Sequence, residues 1–128
     1  MARKPDREWF EDGIALFNAG RFFECHEAWE EIWKRAVGED KRFYQGLIQA
    51  AVAILHAQRG NRVGAAKLYA KASEKLDHFP DVHMGLAIAE FRDAFETFIT
   101  IALTAPPDAS QPHAPRLRRV DRRAGAAR

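Results

Sequence analysis

The chain predicts an all-α fold, a compact bundle of about five helices built from stacked antiparallel helical hairpins. Three observations carry that expectation. Apolar residues recur at helical spacing through nearly everything before residue 105. Gly20, Gly38, Gly60 and Pro80 break the run into helix-sized pieces. No window shows the sustained period-two alternation of a strand.

The first helix starts after Pro5, with Asp6 as its expected N-cap, and carries Trp9, Phe10, Ile14, Leu16 and Phe17. Asn18-Ala19-Gly20 stops it, glycine supplying the left-handed turn. The second helix runs from Phe22 to Ala36 and ends near Gly38. The third spans Asp40 to Arg59, where Gly60-Asn61 breaks it. Gly46, Ala50, Ala53 and Ala57 form a stripe of small residues along it, as a central helix needs where a neighbour's backbone comes close. The fourth runs from Val63 to Leu76, with Ala65, Leu68, Tyr69 and Ala72 inward and its lysines outward. Pro80 enforces a break. A fifth helix, Val82 to Leu103, follows with Phe91, Phe95 and Phe98 at helical spacing. The two glycine turns are about forty positions apart, wider than the tetratricopeptide period of about 34, so that likeness is architectural only.

At 128 residues the chain suits one domain, expected over residues 1–105. Residues 106–128, rich in proline and arginine, offer too little apolar surface to fold and are expected to form a disordered tail. Six arginines against two aspartates give residues 108–128 a charge of +4, which leaves −2 for the body. Nucleic-acid binding would therefore rest on the tail alone, and the composition speaks against it. The longest apolar stretch, Gly46–Ala57, is interrupted by Gln49 and His56 and is too short to span a bilayer, so no membrane role is expected. One cysteine, Cys25, and an N-terminus without an apolar signal core fit a cytoplasmic protein.

The most informative stretch is His26-Glu27-Ala28-Trp29-Glu30-Glu31-Ile32-Trp33. With His26 at zero and about 100° per residue, Glu30 falls at about 40° and Trp33 at about 340°, so imidazole, carboxylate and indole share one stripe. The remaining charges of this helix form a separate wet face, and the stripe is expected where the helix enters the core. On the third helix, Gln45, Gln49 and His56 fall within about 40° of one another, beside Val52. Two facing polar lines suggest a shared inter-helical pocket. His26 and Glu30, one turn apart, can reach one point, and His56 is the natural third ligand for a divalent metal (zinc, iron, manganese or nickel). Gln45, Gln49 and Trp33 would then line the pocket or orient the ligands. Metal-activated hydrolysis is the simplest chemistry for such a site. The competing expectation is a non-enzymatic, tetratricopeptide-like binding or scaffold module in which the same groups satisfy one another structurally. Position 30 is glutamate, so the zinc motif H-E-x-x-H is absent. No P-loop, dinucleotide-binding glycine fingerprint or nucleophile elbow is present either. Cys25 projects among apolar positions and reads as an inert buried thiol, while His78 and His83 read as surface residues.

At His26-x-x-x-Glu30-x-x-Trp33 the chain resembles a bacterial and archaeal domain-of-unknown-function family, number 309, marked by H-x-x-x-E-x-x-W/Y. The words Leu16-Phe17-Asn18-Ala19-Gly20-Arg21-Phe22-Phe23-Glu24 and Phe43-Tyr44-Gln45-Gly46-Leu47-Ile48-Gln49 extend the likeness over residues 6–100. The resemblance implies a small all-helical domain whose signature residues, here His26, Glu30 and Trp33, have been suggested to bind metal. It supplies no substrate. An unidentified small molecule or protein is left as partner, and self-association into a homo-oligomer stays open.

Overall fold

Two glycine turns set the order of the molecule. In the computed structural model, which describes residues 3–120, Gly20 (φ 79°) and Gly60 (φ 78°) occupy the left-handed region that side chains disfavour. The first joins α1 (Asp6–Asn18) to α2 (Phe22–Trp33), and the second joins α3 (Gly38–Gln58) to α4 (Arg62–Leu76). These hairpins stack through α2 on α3, and α5 (Ile88–Thr104) lies across α3 and α4. The stacked helical hairpins read from the sequence are what the chain forms. No helix among the described residues is long and apolar enough to cross a membrane.

The helix ends differ in detail from expectation. Pro5 rather than Asp6 takes the α1 cap position, without any side-chain bond, and the Asp6 carboxylate instead pairs with Arg35 beyond α2. At α4 the cap is explicit, the Asn61 side-chain oxygen accepting from the Gly64 N–H at 2.9 Å. Helix α3 is central, as its composition requires. Gly46, Ala50, Ala53 and Ala57 are all buried. A Cβ on Gly46 would come within 3.0 Å of the Leu76 side chain, so the small stripe is what lets α4 approach.

Residues 82–87 are not helical. Met84 (φ 50°) and Gly85 (φ 75°) make the left-handed pair of a tight hairpin turn between β1 (Val82–His83) and β2 (Leu86–Ala87). The strands pair antiparallel, Val82 opposite Ala87 and His83 opposite Leu86. The expected fifth helix therefore begins six residues late, at Ile88, because Gly85 favours the turn over another helical residue.

Residues 106–120 also depart from the expected disordered tail. They form no helix but return along the body, where Leu117 is 1% exposed in the core. The Asn18 side chain clasps the Leu117 backbone from both sides, its Nδ2 donating to the carbonyl at 2.9 Å and its Oδ1 accepting from the N–H at 2.7 Å. Arg119 bridges Leu86 in antiparallel fashion, the Ala87 N–H donates to the Arg118 carbonyl, and the Val120 N–H donates to the Gly85 carbonyl. A free strand edge and one buried leucine thus hold a segment that composition alone leaves without a core. The remainder of the expected tail, residues 121–128, lies outside the described residues.

Candidate functional site: a cleft between the second and third helices

Helix α2 turns Phe22, Cys25, Trp29 and Ile32 into the core. Those positions centre on about 280° of the wheel on which His26 is zero, so the signature stripe lies on the flank of the buried face and not at its centre. The structure corrects the expectation here. The His26 side chain is 27% exposed and that of Glu30 49%, and no polar or charged residue among those described is buried as a whole. His26 Nε2 and Glu30 Oε1 meet at 2.9 Å, one turn apart, and the Phe23 ring lies 6.1 Å from the imidazole.

Beside this pair a cleft of about 260 Å³ opens between the two hairpins. Glu30 and Trp33 supply its α2 wall, Gln45 and Gln49 its α3 wall, and Ile48, Val52 and Leu68 an apolar lining. The antiparallel approach of α2 and α3 brings these side chains together. Lys41 Nζ sits 4.5 Å from the centre of the Trp33 ring, at the same end of the helix pair. Two atoms of the lining residues, Trp33 Nε1 and Gln49 Oε1, are shut off from solvent with no hydrogen-bond partner. One is a donor and the other an acceptor, and each such group costs about 1–3 kcal/mol while unmade.

His56 does not join them. It lies seven residues beyond Gln49, two helical turns or about 10 Å, and its Nδ1 is 3.1 Å from Asn61 Nδ2 at the α3–α4 turn. The three-ligand set His26, Glu30 and His56 is therefore not assembled: among the described residues no group of three or more histidine, cysteine or acidic side chains is placed to hold a metal ion. On the wheel His56 shares the Gln49 face of α3, but in the structure its neighbours are Asn61 and Gly64 at the α3–α4 turn.

Two titrations are displaced elsewhere. Burial pushes the Cys25 thiol well up, outweighing a backbone hydrogen bond at Phe17 that draws it down. The Tyr44 phenol is also raised, by burial first and then by the carboxylates of Asp40 and Asp6. His83, expected at the surface, is half-buried with its ring 4.6 Å from Phe43 and 4.8 Å from Phe79. Its strand position opposite Leu86 puts it there, and no helical periodicity could have shown that. Leu68 was legible as an inward residue of α4 but not as part of a cleft, since a wheel does not show where neighbouring helices part.

Glu30, Trp33, Gln45, Ile48 and Gln49 of the cleft belong to the words that carried the family resemblance. Residues 10–68 match the domain of unknown function DUF309. That span holds most of α1, all of α2 and α3, and Leu68, and with them every cleft residue. An uncharacterized protein of Aquifex aeolicus (strain VF5) is 30% identical over 105 residues, 80% of this chain and 32% of its own length. The uncharacterized protein YpuF of Bacillus subtilis (strain 168) is 44% identical over 63 residues, 48% of this chain and 36% of its own. The chain thus spans about a third of the length of the curated relatives it matches.

Proposed function

We propose that this helical domain is a binding module whose cleft between α2 and α3 takes up a small molecule with an apolar body. One observation carries the reading: a donor and an acceptor, Trp33 Nε1 and Gln49 Oε1, are buried unpaired on residues of one cleft that also has an aliphatic lining. A ligand entering with modest side-chain rotation supplies a partner to at least one of these atoms and covers Ile48, Val52 and Leu68. The alternative of a purely structural polar cluster is weakened by exposure, since a pair as open to water as His26–Glu30 contributes little to stability. Titration with 1-hexanol, followed through backbone amide shifts, tests the proposal. Saturable shifts confined to residues 30–33, 45–52 and 68, and abolished by Val52→Trp, are the expected result. Shifts scattered over the surface, or none, overturn it.

A second reading rests on the 2.9 Å convergence of His26 Nε2 and Glu30 Oε1. These two side chains would supply part of the coordination of a zinc, iron, manganese or nickel ion, with a bound molecule providing the rest. Metal analysis of the purified protein and of His26→Ala separates the readings. Stoichiometric metal lost in the variant supports this one, and equal, negligible metal in both removes it.

A further inference from the structure

We infer that the cleft selects a cationic head, a primary ammonium on a short aliphatic body; this rests on the cleft reading above. Glu30 is the sole formally charged residue of the cleft lining. Its Oε1 is engaged by His26 at 2.9 Å, whereas Oε2 is unpaired among the described residues. Gln49 adds an acceptor, Oε1, that also has no partner. An ammonium group carries three donors and no acceptor, so it suits the Glu30 carboxylate oxygen and the Gln49 carboxamide oxygen on facing helices, and it leaves the Trp33 Nε1 donor as it stands. Lys41 is not part of the cleft lining: its ammonium lies 4.5 Å from the centre of the Trp33 ring and lines the neighbouring basin, with Arg42 and Lys75 as well as Glu39 and Glu74. Ile48, Val52 and Leu68 then cover the carbon chain, and a carboxylate of the same length meets Glu30 with like charge.

Three probes of matched length decide it: 1-hexylamine, 1-hexanol and hexanoate, each titrated at neutral pH and moderate salt with amide shifts as the readout. The amine is expected to bind about threefold tighter than the alcohol, a charge-assisted hydrogen bond discounted for the half-exposed Glu30 carboxylate. Hexanoate is expected not to saturate. Glu30→Gln should bring the amine down to the affinity of the alcohol, with far-UV circular dichroism reporting that the helices are intact. Equal binding of amine and alcohol in the unaltered protein overturns the cationic preference and leaves the cleft reading standing. If none of the three binds, both fall.

Discussion

Trp29 lies with its indole against Gly13, its Nε1 donating to the Phe10 carbonyl at 3.2 Å. A Cβ at residue 13 would come 1.9 Å from that nitrogen, so the absence of a side chain in mid-helix is a packing requirement. Gly13→Ala, which elsewhere in a helix would stabilise, is therefore expected to cost about 1–3 kcal/mol by overpacking. Urea melts of Gly13→Ala with and without Trp29→Phe check it, and the penalty should shrink in the double variant. Cys25 makes a second residue-level prediction. Its folded thiol is raised above the ordinary value of 9.0, so the unfolded chain releases the proton first as pH climbs. Stability from this group is complete below about pH 9 and declines above it, with Tyr44 adding to the loss beyond its ordinary 10.0. Urea midpoints at pH 8 and pH 10 should differ in that direction, and a thiol reagent should react only as the chain unfolds. At this scale the sequence was informative about membership and poor on depth. The stripe of His26, Glu30 and Trp33 was legible, but its exposure depends on where Cys25, Trp29 and Ile32 aim the helix, which the polar pattern alone does not weigh.

Helices were legible wherever periodicity ran long and glycine or proline closed it. Helix α3 is the clearest case, its small stripe predicting the close approach that Gly46 makes to Leu76. The misread elements share a cause: their structure is set by distant partners. Residues 82–87 turn at Met84–Gly85, and residues 106–120 find order by pairing with β2 and by seating Leu117. That segment is joined to the body by ion pairs as well, Arg118 to Glu90 and Arg119 to Glu11. Exposed pairs of this kind contribute little, so the leucine should dominate. Leu117→Ala is expected to destabilise the protein by about 2–5 kcal/mol, whereas Arg116→Ala, which alters an exposed side chain, should stay within about 0.5 kcal/mol. Equal urea midpoints for the two variants would show the segment to be merely draped on the surface.

On the scale of the whole molecule, apolar and polar chemistry are kept apart: the described core is hydrophobic, and the polar groups of the cleft sit at its margin. This division is why the fold reads more readily than the function. Burial leaves a periodic trace in a sequence, whereas the gap between two hairpins depends on how far apart they settle. The clasp between Asn18 and Leu117 joins positions 99 residues apart. Loop closure of that span is entropically slow to find and contributes only after the intervening helices have condensed. A nascent chain released through α4 can already form both hairpins, yet its first helix still lacks its last neighbour. The clasp on α1 therefore follows both hairpins, and until Leu117 docks the apolar surface it covers stays open to water.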